Sequence, residues 1–133
     1  MSSSRLTNFP NGLGSFFVDS NSTAKESAYT VVVTTDSGKT FTTVTDGMVF
    51  TLPAIAIGNT VTFVNMSPDA SGSLAISPAA ADGITYAGSA TDDKDLINTK
   101  ATAKRGDSVT LASLDGVVAW QVVAVRGTWA KEA

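Results

Sequence analysis

The sequence predicts an all-β protein: an antiparallel β-sandwich, jelly-roll-like, with an extended N-terminal arm. Threonine and valine, whose branched Cβ atoms favour extended backbone, occupy 32 of the 133 positions. Turn-forming residues recur about every 8–12 residues, a spacing typical of the short strands of sandwiches and barrels. Several segments between these turns alternate apolar and polar residues, as strands with one buried face do.

Residues 1–26 form the predicted arm, and residues 27–133 form the predicted sandwich domain. The arm contains a turn at residues 8–12, where proline fixes φ and where Asn and Gly tolerate positive φ. It also carries large apolar side chains without helical periodicity: Leu6, Phe9, Leu13, Phe16 and Phe17. Such anchors indicate a segment that packs on its own domain or that reaches a neighbouring subunit or a host surface. A disordered tail is the third alternative.

Five strands are expected in the first part of the domain. The first is rich in β-branched residues and ends at the turn signal Asp36-Ser37-Gly38-Lys39. The fourth alternates Val61 and Phe63 against Val64, which indicates a strand. The five predicted strands span residues 29–35, 39–45, 48–52, 60–65 and 73–77.

The second part of the domain predicts two helical pieces and three more strands. Residues 78–83 favour one helical turn closed by glycine, and residues 91–97 favour a helix start with a threonine N-cap and acidic residues in its first turn. Short strands are expected at residues 84–86, 108–111 and 117–126. The last strand carries an apolar run over residues 117–125, which indicates burial on both of its faces.

The absence of histidine and cysteine from the chain argues against an enzyme. Without them there is no Ser-His-Asp triad, no Cys-His pair and no ordinary zinc site, so we expect neither catalysis nor a cofactor or metal. Carboxylates could still cleave a cell-wall sugar, but two acids would have to converge in a groove. Asp92, Asp93 and Asp95 could gather a hard cation; compensation of a helix dipole explains them better, because Lys94 competes for their charge.

Charge and hydropathy limit the partners. Only 16% of the residues are charged, below the roughly 25% usual in soluble domains, which indicates either surface covered in an assembly or a surface rich in Ser and Thr. The net charge is −3 and the densest basic cluster, residues 100–105, has no aromatic side chain, so direct nucleic-acid binding is not expected. No apolar run approaches the ~20 residues that span a bilayer, and no signal peptide is visible, so we expect synthesis in a cytosol and no membrane partner.

Two tryptophans and one tripeptide invite a functional interpretation. Trp120 lies within a predicted strand and is interpreted as a core residue. Trp129, which follows Arg126-Gly-Thr, is expected to be half exposed, either at a contact surface or over a neighbouring edge of its own domain. Arg105-Gly106-Asp107 matches an integrin-type tripeptide, but Gly-Asp between two strands is ordinary turn chemistry.

A series of segments resembles the small virion proteins of tailed bacteriophages. The opening Arg5-Leu-Thr-Asn-Phe-Pro-Asn-Gly12 looks like the N-terminus of such proteins, and the series covers most of residues 5–129. The further segments are Thr51-Leu-Pro53, Gly58-Asn-Thr-Val-Thr-Phe-Val-Asn65, Leu74-Ala-Ile-Ser-Pro78, Ala81-Asp-Gly-Ile84, Asn98-Thr-Lys-Ala-Thr-Ala-Lys-Arg-Gly-Asp107, Val109-Thr-Leu111, Trp120-Gln-Val122 and Arg126-Gly-Thr-Trp129.

The resemblance implies a capsid decoration (cement) protein on the outer surface of the virion head. Its partners would be the major capsid protein and further copies of itself, commonly as a homotrimer, and terminal arms would grip the shell. The residues expected to contact the capsid or a subunit are Arg5, Leu6, Asn8, Phe9, Pro10, Phe16, Phe17 and Trp129. The alternative is a tail or fibre module that binds a host surface receptor through loops 66–72 and 86–95, which would then cluster at one end.

Overall fold

The computed structural model describes residues 22–88 and 90–133 as a chain of short strands. One helical turn, α1 (Val33–Asp36), and one 3-10 turn (Lys100–Thr102) accompany them. The arm positions Arg5, Leu6, Asn8, Phe9, Pro10, Phe16 and Phe17 lie outside the described residues. The strands are β1 (Ser22–Ala24), β2 (Tyr29–Thr30), β3 (Thr40–Thr43), β4 (Met48–Thr51), β5 (Thr60–Asn65), β6 (Leu74–Ser77), β7 (Gly83–Thr85), β8 (Leu96–Asn98), β9 (Asp107–Ala112), β10 (Ala119–Arg126) and β11 (Ala130–Lys131).

Over the described residues the strands form two mixed sheets, so the fold is all-β as predicted. Sheet A has the order β1-β3-β5-β9-β10-β7, and sheet B has the order β11-β8-β6-β4-β2. The prediction of antiparallel sheets is wrong. The pairs β1–β3, β3–β5, β2–β4, β4–β6 and β7–β10 are parallel, because the chain changes sheet after almost every strand and returns in the same direction.

The buried side chains of both sheets join in one hydrophobic cluster. Period-two alternation places Val61 and Phe63 of β5 inward, as predicted for this strand. Aromatic rings connect the sheets: the ring centroids of Phe63 in sheet A and Phe50 in sheet B lie 4.8 Å apart, and those of Phe41 and Phe50 lie 5.6 Å apart. Trp120 is buried in the same cluster, which confirms its prediction as a core residue.

The register of the strands defines two ends of the molecule. Strands β1, β3, β5, β7 and β10 of sheet A all begin at one end, and antiparallel β9 finishes there with Ala112 opposite Thr60. The loops at this end comprise residues 31–39, 52–59, 78–82 and 113–118. The loops at the other end comprise residues 44–47, 66–73, 99–106 and 127–129.

Three predicted elements differ from the structure because tertiary hydrogen bonds override the local pattern. The strand expected over residues 29–35 stops at Thr30, since the Asp36 carboxylate accepts the Val32 N–H at 2.8 Å and closes α1. Residues 78–83 form a tight turn before β7 instead of a helical turn. Residues 91–97 do not start a helix: Asp92 bridges Gly83, and Leu96 is buried in β8.

The two chain segments that flank the core also differ from expectation. The sheet begins inside the predicted arm, since β1 pairs with β3 at residues assigned to the arm. The prediction that residues 117–125 are buried on both faces is wrong, because Val117, Val118, Val123 and Val125 are exposed. Within the described residues, no helix combines the length and apolar character needed to cross a lipid bilayer.

Candidate functional site

The part of the chain that the structure describes holds no cluster of three or more acidic residues that could bind a metal ion. Asp92, Asp93 and Asp95 are therefore not gathered into a ligand set.

Burial lowers the pKa of Lys131, while the charges of Asp95 and Glu132 act to raise it. Its Nζ donates hydrogen bonds to two backbone carbonyls at 2.8 and 3.0 Å, so this amine ties β11 to neighbouring segments.

The most distinctive surface is apolar and lies at the end where β5 begins. Loops 52–59 and 113–118 present four large aliphatic side chains to solvent, and we name this surface the apolar end. Their exposed fractions lie between 53 and 74%, for Ile57, Leu114, Val117 and Val118. Val32, in a loop on the same side of the molecule, is also exposed. Grouped exposed aliphatic side chains of this kind mark interaction sites in soluble proteins.

The two loops of the apolar end are held against each other by backbone hydrogen bonds. The Gly58 N–H donates to the Ser113 carbonyl at 2.9 Å, and the Ser113 N–H donates to the Asn59 carbonyl at 2.8 Å. Gly116 lies against Ile57: a Cβ at this glycine, whose φ is +68°, would lie 2.9 Å from the Ile57 nitrogen. The contact therefore requires glycine, and it fixes the two loops as one unit.

Side chains complete this scaffold. Asp115 Oδ1 accepts the N–H groups of Val117 and Val118 at 2.9 and 3.3 Å, which turns both valines outward and holds the pKa of Asp115 below its ordinary value. The Asp82 carboxylate accepts the Ile55 N–H at 2.9 Å beneath the other loop. The aliphatic side chains are thus presented on ordered backbone, which lowers the entropy lost on binding.

The opposite end of the molecule is charged. Lys100 Nζ lies 2.9 Å from Asp46 Oδ2, and Lys104 Nζ lies 3.9 Å from Asp69 Oδ2. Hydrogen bonding to Lys100, and then to the Ser73 N–H, lowers the pKa of Asp46. Among the described residues, Val44 is the one large aliphatic side chain exposed in the loops of this end. The apolar end also carries an ion pair, between Lys39 and Asp36, but most of the exposed large aliphatic loop residues lie there, so it is the candidate contact surface.

Strand β1 begins at the apolar end. Its first residue, Ser22, lies opposite Thr40, which starts β3 at that end. Ser22 therefore lies on the same side of the molecule as Ile57 and Val117, although these residues are far apart in sequence.

Trp129, expected from the sequence to contact the capsid or a subunit, occupies a different place from the one expected. It is 5% exposed and belongs to the hydrophobic cluster, and its Nε1 donates to the Arg126 carbonyl at 3.0 Å. The prediction of a half-exposed Trp129 is wrong, because β11 adds to sheet B and carries the indole into the core. We therefore assign Trp129 to the core and not to a contact surface.

Sequence reasoning missed the four residues of the apolar end. The pattern predicts a buried strand at Val117 and Val118 and singles out neither Ile57 nor Leu114. A signal is present, since Ile57, Leu114 and Val117 each adjoin turn residues, Gly58-Asn59 or Asp115-Gly116. Apolar side chains beside turn residues lie where the chain leaves the core, so the pattern predicts exposed side chains at these positions.

The tripeptide Arg105-Gly106-Asp107 is a structural turn, as interpreted from the sequence. Asp107 is buried and accepts the Lys104 N–H at 2.9 Å, while the Arg105 guanidinium donates to the Met66 carbonyl at 2.9 Å. The charged groups of this tripeptide are thus engaged within the fold.

The loops proposed for host binding lie apart. The described residues of loop 86–95 fold back on the start of β7, where the Asp93 N–H donates to the Asp82 carbonyl. Loop 66–72 lies at the charged end, where the Ala70 N–H donates to the Ala103 carbonyl. The two loops therefore do not form one receptor-binding surface.

Comparison with known proteins finds no family model that matches the chain and no curated protein that is significantly similar to it.

Proposed function

We propose that the chain is a capsid decoration (cement) protein of a tailed bacteriophage. It binds the outer surface of the head and stabilises the shell by bridging capsid subunits. The observation that carries the proposal is the apolar end, where Ile57, Leu114, Val117 and Val118 are exposed on ordered loops. The resemblance of the sequence to small virion proteins supplies the kind of partner.

The proposed mechanism is mechanical and requires no chemistry. Burial of an aliphatic side chain contributes about 1.5–3 kcal/mol when it is complete, and less for the partly exposed groups here. The arm residues Leu6, Phe9, Phe16 and Phe17 would add further anchors, because Ser22, which follows them along the chain, lies at the apolar end. Many copies on one shell multiply this modest energy through avidity.

The architecture suits such a role. We propose that sheets A and B pack face to face as a β-sandwich, supported by the contacts between Phe63 and Phe50 across them. The jelly-roll connectivity stays a prediction, and the parallel strand pairs count against it. Hydrogen bonds between neighbouring strands, such as β3–β5 and β5–β9, and within the loops hold the described backbone together, which resists deformation.

Binding to expanded capsids that lack the protein tests the proposal. The variants Ile57→Asp and Val117→Asp place a charge on the apolar end, and Val44→Asp places the same charge on an exposed valine of the opposite end. We expect occupancy, measured by cosedimentation, to fall at least tenfold for the first two variants and to stay unchanged for Val44→Asp. Full occupancy for all three variants would remove the apolar end from the mechanism.

Deletion of residues 1–21 tests the arm separately. We expect weaker binding, because the anchors Phe9, Phe16 and Phe17 are lost while the apolar end remains. Undiminished occupancy of the shortened protein would remove the arm from the mechanism. The alternative, a tail or fibre module that binds a host receptor, predicts instead that none of these variants changes attachment to capsids.

A further inference from the structure

A second unpartnered surface lies along β10, away from the apolar end. On one side β10 pairs with β9 as far as Arg126. On the other side β7 pairs with β10 only up to Gln121, and no further strand among the described residues continues the sheet there. A cleft of about 410 Å³ opens where the two strands separate, between residues 85–87 and 121–125.

The open part of β10 continues the hydrophobic core to the surface. Val125 lies opposite Val109, a buried residue of β9, but Val125 itself is 47% exposed. A register shift between Val122 and Ala124 marks a β-bulge, and Val123 at this shift is 52% exposed. An apolar strand edge with free backbone groups is a template for pairing with another strand.

The opposite edge of the same sheet is β1. This strand pairs with β3 on one side, and no described strand pairs with it on the other. Its residues, Ser22, Thr23 and Ala24, have small side chains that allow close approach of a second strand. Sheet A therefore ends in two edges that are free within residues 22–88 and 90–133.

The strands at the two edges run in the same direction and lie at the same position along the strand axis. β1 is parallel to β3 and β5, whereas β9 is antiparallel to both β5 and β10, so β1 and β10 run the same way. One row of register partners crosses the sheet and joins the edges at a single level. The row consists of Ser22, Thr40, Thr62, Thr110 and Ala124.

We propose that β1 of one copy pairs in parallel with residues 122–126 of β10 in the next copy. Because Ser22 and Ala124 lie at one level, a rotation about an axis parallel to the strands brings the two edges together without displacement along that axis. A rotation without displacement generates a closed ring, whereas a displacement would generate a filament. The partner recognised by β10 is therefore a second copy of this chain.

Pairing of the two strands alone does not complete the interface. Three to five paired residues bury less than the ~800 Å² per partner of a standard interface. The exposed side chains of Val123 and Val125 and the cleft beside Tyr86 lie next to the paired edge and offer further contact area. The inference specifies the contact between copies in the homotrimer that the sequence resemblance implies; it rests on the proposed function, but it requires no capsid.

A disulfide between copies tests the pairing, since the chain has no cysteine of its own. Parallel pairing brings Ser22 and Ala124 of neighbouring copies within the ~4.4–6.8 Å between Cα atoms that a disulfide requires. Within one copy four strand spacings, about 19 Å, separate them. We expect the variant Ser22→Cys/Ala124→Cys to form, on mild oxidation, a ladder that ends at the ring size on a non-reducing gel.

The matched control is Ser22→Cys/Val44→Cys, which keeps one edge cysteine and moves the other to the charged end. We expect no ladder from it. In parallel, Val123→Lys/Val125→Lys should convert the ring to a monomer in native mass spectrometry, while Ile57→Asp leaves the ring intact. A monomeric wild-type protein, or a ring in which the edge cysteines do not react, would overturn the inference. Either result leaves the capsid-binding experiment with Ile57→Asp to decide the proposed function separately.

Discussion

The side-chain amides of Asn65 and Asn98 join the two sheets. Asn65 Nδ2 at the end of β5 donates to Asn98 Oδ1 at the end of β8 over 2.8 Å. Asn98 Nδ2 in turn donates to Asp107 Oδ2 at 3.1 Å and to the Thr128 carbonyl at 3.0 Å. All three side chains are buried, so this network holds the charged end of the molecule together and fixes the loops that carry its ion pairs.

The substitution Asn98→Ala should destabilise the fold. It leaves a donor of Asn65 and an acceptor of Asp107 buried without this partner, and each such group costs about 1–3 kcal/mol. Urea denaturation measures the loss of unfolding free energy. Thr99→Ala, at the exposed next position, is the control and should change it by less than ~0.5 kcal/mol. Equal stability of the two variants would contradict the role of the network.

Gly127 and Gly106 form a matched pair for a test of packing. Their φ angles are +95° and +93°, so alanine strains the backbone equally at both positions. A Cβ on Gly127 would overlap the Asp107 carboxylate, whereas a Cβ on Gly106 meets nothing within 4 Å. We expect Gly106→Ala to lower the free energy of unfolding by about 1–2 kcal/mol, the strain alone. Gly127→Ala should cost clearly more, and equal losses would show that Asp107 is not held where the structure has it.

The pair Tyr29 and Asp36 predicts a pH dependence of stability. The Tyr29 hydroxyl donates to Asp36 Oδ2 at 2.6 Å. This hydrogen bond, with burial and the negative charge of Asp36, raises the pKa of Tyr29 above its ordinary 10.0. Burial acts to raise the pKa of Asp36, but hydrogen bonds from Tyr29, the Val32 N–H and Lys39 together lower it below 3.8.

The directions of these two pKa shifts define two pH ranges in which the protein loses stability. A raised folded-state pKa means that the contribution of Tyr29 is present below pH 10 and is lost as the pH rises through the folded pKa. A lowered pKa means that the contribution of Asp36 is present above pH 4 and is lost as the pH falls through its folded pKa. Chemical denaturation as a function of pH should show both losses. In Tyr29→Phe the unfolding free energy should fall less at high pH than it does in the wild type. An identical fall in the two proteins would contradict the assignment of this loss to Tyr29.

Charged substitutions at the apolar end should leave the fold intact. Ile57 and Val117 are 71 and 74% exposed, so Ile57→Asp and Val117→Asp should change the free energy of unfolding by less than ~0.5 kcal/mol. Val61 is buried in the core, so Val61→Asp should prevent folding or cost several kcal/mol. Denaturation midpoints measure the difference. A large loss in Val117→Asp would mean that this valine serves the fold and not a contact.

Local pattern predicted the fold class, and β5 with its bounds, because Thr60–Asn65 alternates strictly over a buried face. It could not predict strand direction, since the residues of β3 and β5 suit a parallel and an antiparallel pair equally well. It also failed where a distant group decides. The buried Asp36 ends β2, and pairing with Asp82 and Gly83 keeps Asp92 and Asp93 out of a helix. The apolar end was missed because an apolar run such as residues 117–125 does not reveal where its strand leaves the core.

The orientation of the protein on the intact virion tests the central claim most directly. An electron cryomicroscopy reconstruction of the decorated head, at a resolution that places the two sheets, would locate the loops with Ile57 and Val117 relative to the shell. We predict that these loops face the capsid surface and that the ion pair of Lys100 with Asp46 faces solvent. A head without this protein, or a protein bound through its charged end with Val117 pointing outward, would contradict the proposed function.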